Sequence, residues 1–179
     1  MCGIIGYIGK REAQTILLNG LKMLEYRGYD SAGMAVLSRK RIDVVKREGK
    51  IRGLAKKLRA RPLGGNAGIS HTRWATHGRP NRVNAHPHLD CKGELAVVHN
   101  GIIENYAELK ESLIREGHKF RSETDTEVIV HLIEKFYKQK GVPIEEAVRK
   151  AAAKLEGSFA IGVISKREPK KLVGARISV

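Results

Sequence analysis

Apolar residues in this chain keep two different spacings that alternate along its length, and that alternation restricts the fold more than any single motif does. Cys2 to Ile8, Met34 to Leu37, Ile42 to Lys46, Ala67 to Thr72, Leu95 to His99, Phe159 to Ile164 and Leu172 to Val173 are short runs of strand length and composition. Between them, Glu12 to Tyr26 carries Ala13, Ile16, Leu17, Leu21 and Leu24 at helical spacing, and Thr126 to Lys138 carries Val128, Ile129, Leu132, Ile133 and Phe136 on one face. Ile51 to Leu58, ended by Pro62 and Gly64-Gly65, and Glu104 to Arg115 read as further helices. Pro143 opens another at its first turn and Gly157 closes it. Strands grouped in pairs, with helices inserted between the groups, predict an α+β layered sandwich of mostly antiparallel sheets and not a βαβ repeat.

A chain of 179 residues is about one domain and is long enough to bury a sizeable core. No stretch approaches the roughly 18 apolar residues of a membrane span, and no basic segment precedes the first apolar run. These features, with two cysteines that are too few for a disulfide framework, predict a soluble protein of the reducing cytoplasm. The net charge of +15 favours anionic partners at long range. Its basic residues are scattered, with little aromatic interleaving and none of the common nucleic-acid motifs, so a solvated surface or an acidic partner domain is the favoured reading over nucleic acid. The sequence stops at Arg176-Ile-Ser-Val179 without a turn or cap signal, which reads as a domain incomplete at its C-terminus, with unpaired sheet edges and marginal stability.

Cys2 stands at the head of the first strand. Removal of Met1 would put a thiol and an α-amine on one residue, the amine with an ordinary pKa of about 7.7–8.0 and the thiol of about 8.5. Such an amine can collect the thiol proton and return it to a leaving group, which suits acyl transfer. The plainer reading of Cys2 is a small buried residue on a first strand.

Four polar clusters offer what an N-terminal thiol would need as an amidase. Tyr26-Arg27-Gly28-Tyr29-Asp30-Ser31-Ala32-Gly33 allows tight backbone geometry, or is only a helix cap and loop. His71-Thr72-Arg73-Trp74-Ala75-Thr76-His77-Gly78-Arg79-Pro80 contains an arginine able to clamp a carboxylate and a tryptophan able to exclude water. His99-Asn100-Gly101 follows a strand, so a side-chain amide and a neighbouring N–H can point together at an oxyanion; alone, Asn-Gly is more often a turn. Ser122-Glu123-Thr124-Asp125-Thr126-Glu127 begins a helix and reads by itself as an N-cap with first-turn acids. A metal reading of His86, His88 and Cys91 is weaker, because their spacing matches none of the usual paired-ligand patterns.

Taken in order, Met-Cys-Gly-Ile-Ile-Gly at the start, Leu-Glu-Tyr-Arg-Gly-Tyr-Asp-Ser-Ala-Gly from Leu24, His-Thr-Arg-Trp-Ala-Thr-His-Gly from His71, Asn-Ala-His-Pro-His from Asn84, Val-Val-His-Asn-Gly-Ile-Ile-Glu-Asn from Val97 and Ser-Glu-Thr-Asp-Thr-Glu from Ser122 resemble the class II glutamine amidotransferases, the N-terminal-nucleophile glutaminases. Within that class they are most similar to the glutaminase half of the glutamine:fructose-6-phosphate aminotransferases. The resemblance implies a four-layer αββα sandwich over residues 2–179 and no cofactor or metal. It implies hydrolysis of L-glutamine through a Cys2 thioester, with the Cys2 amine as base and Asn100 and the Gly101 N–H as oxyanion hole. Arg73 would hold the substrate carboxylate and Asp125 its ammonium, with Thr76 and His77 completing the pocket. Trp74 would lie in a closing loop, and Arg27 and Gly28 would organise the surroundings of the thiol. The ammonia would serve fructose-6-phosphate on a sugar-phosphate isomerase domain that this sequence lacks, in a full-length homodimer. The competing reading is a non-catalytic fragment or a basic RNA-binding module.

Overall fold

The structure is a computed structural model that describes residues 2–39, 41–74 and 78–177. Two four-stranded antiparallel sheets form its centre. The first takes β1 (Gly3–Ile8), β2 (Ser31–Leu37), β3 (Ile42–Glu48) and β4 (Ala67–Arg73) in the order β1-β4-β2-β3. The second takes β5 (His88–Leu89), β6 (Leu95–Gly101), β7 (Phe159–Ser165) and β8 (Leu172–Ile177) in sequential order. Helices α1 (Ala13–Met23) and α2 (Ile51–Ala60) lie outside the first sheet, and α3 (Tyr106–Arg115), α4 (Thr126–Tyr137) and α5 (Ile144–Ala152) outside the second.

The period-two alternation of the strands sorts their side chains into separate cores. Ala35, Leu37, Ala67, Ile69, Ala96, Val98 and Ile164 meet between the sheets. From the same strands, Met34 and Val36 face outward onto Leu17, Leu21, Leu54 and Leu58 of α1 and α2. Leu95, Val97, Phe159, Ile161 and Val163 face the other way onto Ile129, Ile133, Val148 and their neighbours. The result is the expected αββα layering, held by three apolar layers. Each fully buried Leu or Ile contributes about 1.5–3 kcal/mol to it.

Several boundaries differ from expectation. Ser31 to Gly33, read as loop, belong to β2, whose small residues let a central strand pass under other backbone: a Cβ on Gly33 would lie 2.0 Å from the His86 carbonyl oxygen. Helix α1 stops at Met23, and the Leu24 N–H bonds to the carbonyls of both Gly20 and Leu21 as the chain tightens into a 3₁₀ turn at Glu25–Arg27. β5 is two residues long and pairs His88 with Val97, too short a match for a periodicity argument. Pro143 precedes the first helical residue of α5 and accepts its first hydrogen bond, from Ala147. The helix ends at Ala152, not at Gly157. Gly157, at φ +106°, instead passes beneath the Ile102 carbonyl, where a Cβ would come within 2.4 Å, and leads into β7.

Gly33→Ala should therefore lower stability by about 1–3 kcal/mol through backbone overpacking, while Gly64→Ala, which meets nothing within 4 Å, should stay within about 0.5 kcal/mol. Urea denaturation of the two variants checks this; equal midpoints would contradict the packing at Gly33.

Candidate active site

Strand register brings the polar clusters to one end of the sandwich. In the first sheet Gly3 pairs with Thr72 and Ser31 with Arg73, so Cys2, Asp30 and Trp74 emerge together. In the second, Gly101 pairs with Phe159 and Phe159 with Ile177. These strand ends and the start of α4 line a cleft of about 550 Å³ that contains Cys2, Arg27, Arg73, Trp74, Asn100, Gly101 and Asp125. Seven of the ten residues singled out from sequence thus share one cavity. Gly28 stands behind it, and Thr76 and His77 lie outside the described residues.

Cys2 is half-buried, and its sulfur is bracketed by Trp74, whose N–H donates to Sγ at 3.2 Å and whose carbonyl oxygen lies 3.5 Å from the thiol. Burial pushes the thiol pKa up, partly countered by the Trp74 N–H. The thiol is accordingly protonated near neutral pH and needs a base to become a nucleophile.

Asn100 spans the two sheets. Its Oδ1 lies 2.9 Å from His71 Nε2, and its Nδ2 donates to the Cys2 carbonyl at 3.3 Å. His71 is completely buried and its pKa is lowered to about 3, chiefly by that burial, so the ring is neutral and donates from Nε2. This bond fixes which end of the amide faces the thiol residue. Gly101 follows at φ +118°, where a Cβ would collide with the Ser158 carbonyl at 2.1 Å. Only glycine lets the 101 backbone sit there, beside the Asn100 amide.

A fixed cation and a fixed anion share the cleft. Arg73 is 4% exposed and donates to the carbonyls of Gly78 at 3.3 Å and Arg79 at 3.5 Å. Burial lowers its pKa; Asp30, Cys2 and Asp125 oppose that shift in decreasing order. Asp125, also 4% exposed, accepts the Ile103 N–H at 3.0 Å. Gly28 lies against the Arg73 backbone, where a Cβ would approach the carbonyl carbon to 2.8 Å, so the neighbouring Arg27 can line the same wall. Trp74 is 48% exposed and meets Tyr29 edge-on at 5.3 Å, at the rim of the cleft.

The N-cap reading of the 122–127 cluster is only partly correct. Asp125 makes no side-chain cap bond to α4; the first-turn acid Glu127 reaches back to the N–H groups of Arg121 and Ser122 and to the Ser122 hydroxyl. Burial alone would raise the Glu127 pKa, but bonds from His131, Ser122 and the backbone outweigh it and hold it at about 2. His86 and His88 do not join Cys91 as a ligand set. They turn inward under the cleft, His86 Nε2 3.1 Å from the Thr126 hydroxyl and His88 Nε2 3.1 Å from the Thr124 hydroxyl. The Thr126 hydroxyl also meets His99 Nδ1 at 2.9 Å, while the His99 N–H donates to His86 Nδ1 at 3.4 Å. Sequence reasoning assigned no role to this layer. Its one available signal was a set of histidines in or beside otherwise apolar strands.

A thiol at the head of one antiparallel sheet, facing an Asn-Gly pair at the end of another with helices outside both, defines an amidotransferase of the N-terminal-nucleophile class. The backbone aligns with the glutamine phosphoribosylpyrophosphate amidotransferase of B. subtilis at a TM-score of 0.78 and 26% identity, over 93% of this chain and 35% of that one. A second solved structure, described as the allosteric regulatory enzyme of purine biosynthesis, gives 0.79 and 27%, over 93% of this chain and 36% of the other. The family profile described as glutamine amidotransferase domain matches residues 71–177, and the chain belongs to that family. Over 176 residues it is 57% identical to the glutamine–fructose-6-phosphate aminotransferases (isomerizing) of Thermococcus kodakarensis and of Aquifex aeolicus. The match covers 98% of this chain and 29% of each relative, so the chain spans under a third of their length. The fragment or RNA-binding reading is not favoured by these matches. No helix among the described residues is long and apolar enough to cross a membrane.

Burial under the cleft has a measurable consequence. His71, His86 and His88 all have pKa values depressed by burial, to about 3 for His71. Below their ordinary value of about 6.5 the unfolded chain binds protons that the folded chain refuses, so stability is full above that pH and falls as pH drops. His131, whose pKa is raised, works in the opposite sense. Between about pH 6.5 and 5 stability should fall, each excluded proton contributing a slope of up to about 1.4 kcal/mol per pH unit. His71→Gln should remove one such contribution in urea titrations run across that range; a flat profile, or an unchanged slope in the variant, would contradict the buried neutral imidazoles.

Proposed function

We propose that this chain is a glutaminase domain over residues 2–179, hydrolysing L-glutamine to glutamate and ammonia through a thioester on Cys2 after removal of Met1. The observation that carries this reading is the sharing of one cleft by the Cys2 thiol, the Asn100–Gly101 pair and the oppositely charged Arg73 and Asp125. A zwitterionic amino acid needs one fixed cation and one fixed anion, and its amide carbon needs a thiolate and two oxyanion donors.

In this mechanism Arg73 takes the α-carboxylate and Asp125 the α-ammonium, which brings the side-chain amide carbon to Sγ. The Cys2 α-amine removes the thiol proton, Sγ attacks, and the carbonyl oxygen becomes an anion that accepts hydrogen bonds from Asn100 Nδ2 and the Gly101 N–H. Collapse expels ammonia, to which the amine returns its proton. A water, deprotonated by the same amine, then attacks the thioester; the second collapse releases glutamate and reprotonates the sulfur. His71 acts through Asn100 by presenting its amide nitrogen. Trp74 closes the rim, and Arg27 and Gly28 shape the wall behind the thiol.

The relatives' name supports a fuller reading, in which the ammonia passes to fructose-6-phosphate bound to a sugar-phosphate isomerase domain, giving glucosamine-6-phosphate in a homodimeric cytoplasmic enzyme. A protonated thiol that must be kept reduced fits that compartment.

Glutamate release by the purified chain, with loss of Met1 confirmed by intact mass, tests the reading. Cys2→Ala should abolish turnover, and Asn100→Ala should lower kcat by about 10²–10³. Asp125→Asn should act mainly on KM, raising it tenfold or more by loss of a charge-assisted contact worth about 1.5–3 kcal/mol. Undiminished turnover in Cys2→Ala would refute the mechanism.

A further inference from the structure

Away from the cleft, the described residues contain one group of mixed donors, the half-buried Cys91 with the buried His118, His131 and Glu134, whose ligand atoms all lie within 4.8 Å of one another. None of the four lines the cleft around Cys2. They come from three separate parts of the chain. Cys91 sits in the turn between β5 and β6, His118 in the connection from α3 to α4, and His131 and Glu134 one turn apart on the same face of α4.

Four of their separations are within a few tenths of an ångström of those in a coordination shell. Cys91 Sγ lies 3.8 Å from His118 Nδ1 and 3.7 Å from His131 Nδ1, while Glu134 Oε2 lies 2.9 Å and 3.1 Å from the same two nitrogens. A tetrahedral zinc ion with ordinary bond lengths separates its sulfur and nitrogen ligands by roughly 3.6 Å and its nitrogen and oxygen ligands by roughly 3.3 Å. The surroundings support the same arrangement. The Lys119 N–H donates to Cys91 Sγ at 3.4 Å, a bond that would stabilise a thiolate there. Lys138 Nζ holds the other oxygen of Glu134, Oε1, at 2.8 Å, which leaves Oε2 to the cluster. His131 Nε2 faces Glu127 Oε1 at 3.8 Å, so a ring bound through Nδ1 would turn its N–H toward a carboxylate, the usual outer partner of a metal-bound histidine.

Hydrogen bonding alone crowds the donors of this cluster onto one carboxylate oxygen. If both imidazoles donate from Nδ1 to Glu134 Oε2, His131 also meets the Glu127 carboxylate only by carrying a second proton on Nε2. The Cys91 S–H, facing two nitrogens with no lone pair to accept it, is left to share the Glu134 carboxylate with them. A cation at the centre uses all four lone pairs and displaces the Nδ1 proton of His131, leaving Nε2–H to Glu127.

We propose that Cys91 Sγ, His118 Nδ1, His131 Nδ1 and Glu134 Oε2 form a closed four-coordinate site for a zinc-class divalent cation. One thiolate, two imidazoles and one carboxylate suit a borderline ion and leave no open position, so the site is structural. It ties the β5–β6 turn and the α3–α4 connection to α4, the helix whose start carries Asp125 and Thr126.

Metal analysis and cobalt substitution of the purified chain test this. We expect about one zinc per chain after expression with zinc. Replacement by Co²⁺ should give the intense visible bands of tetrahedral cobalt together with a thiolate-to-cobalt charge-transfer band. Cys2→Ala should keep that band; Cys91→Ala should lose it, and His118→Ala should weaken cobalt binding at least tenfold, with folding of both verified by circular dichroism. Zinc should raise the melting temperature of the parent chain and leave that of Cys91→Ala unchanged. A weak octahedral cobalt spectrum, no bound metal after zinc loading, or equal binding by folded Cys91→Ala would each overturn the proposal.

Discussion

The contact between the two sheets sets the position of everything else. It is made by side chains small enough for the strands to approach closely: Ala35, Ala67 and Ala96 contribute to it, and Gly162 faces Val98, Ile4 and Ile69, with a Cβ there only 3.2 Å from Val98. Two twisted sheets packed this closely end near one another, so residues leaving β1, β4 and β6 meet without any long excursion of the chain. The cleft is the place where apolar packing between the sheets gives way to polar groups. A bulkier interface would separate Cys2 from Asn100 and leave each in its own half.

Polar cross-links replace apolar contact at that end. The His71 bond to Asn100 and the Asn100 bond to the Cys2 carbonyl join β4, β6 and the head of β1. Beneath them His71 and His86 lie with ring centroids 4.2 Å apart, a contact that two charged imidazoles would not tolerate and two neutral ones can. Neutrality fixes tautomers as well. With His86 Nδ1 accepting from the His99 backbone, its Nε2 carries the proton to Thr126, whose hydroxyl can donate onward to His99 Nδ1. A chain of bonds that runs in one sense from the His99 backbone through His86 and Thr126 specifies one arrangement of the strands where an apolar core would permit several.

Most of this organisation was legible from the residues. The layer order followed from periodicity, because each strand must sort alternate side chains between a sheet contact and a helix contact, and α1 and α2 each turn an apolar face to the first sheet. Short or polar pieces were not legible. His88–Leu89 is below the length at which a period exists, and Ser31 to Gly33 resembles a loop until the His86 backbone is placed above Gly33. The candidate site was legible as ordered motifs, and that was enough to bring Cys2, Arg73, Asn100 and Asp125 together. Roles that depend on contacts between distant segments were hidden. Nothing near His71 in sequence points to Asn100, and nothing near Cys91 points to His118 and His131; only the β4–β6 and β5–α4 contacts create those neighbours.

Helix α4 connects these observations. Ten of its twelve residues, Tyr137 among them, are buried, so it can move little without disturbing the core beneath it. At its start, Asp125 has lost most of its contact with water, a loss offset by the Ile103 N–H and by the positive end of the helix dipole. Glu127 spends its carboxylate on the Arg121 and Ser122 backbone, holding the loop that leads into Asp125. One turn further on, His131 and Glu134 face Cys91 and His118. The orientation of an acid meant to receive a substrate ammonium is thus set by the packing of the whole helix, with restraints at its first turn and again midway along it. A rigid element carrying that acid is what a preorganised electrostatic pocket requires, because a carboxylate free to rotate would be solvated by water before it could select a cation.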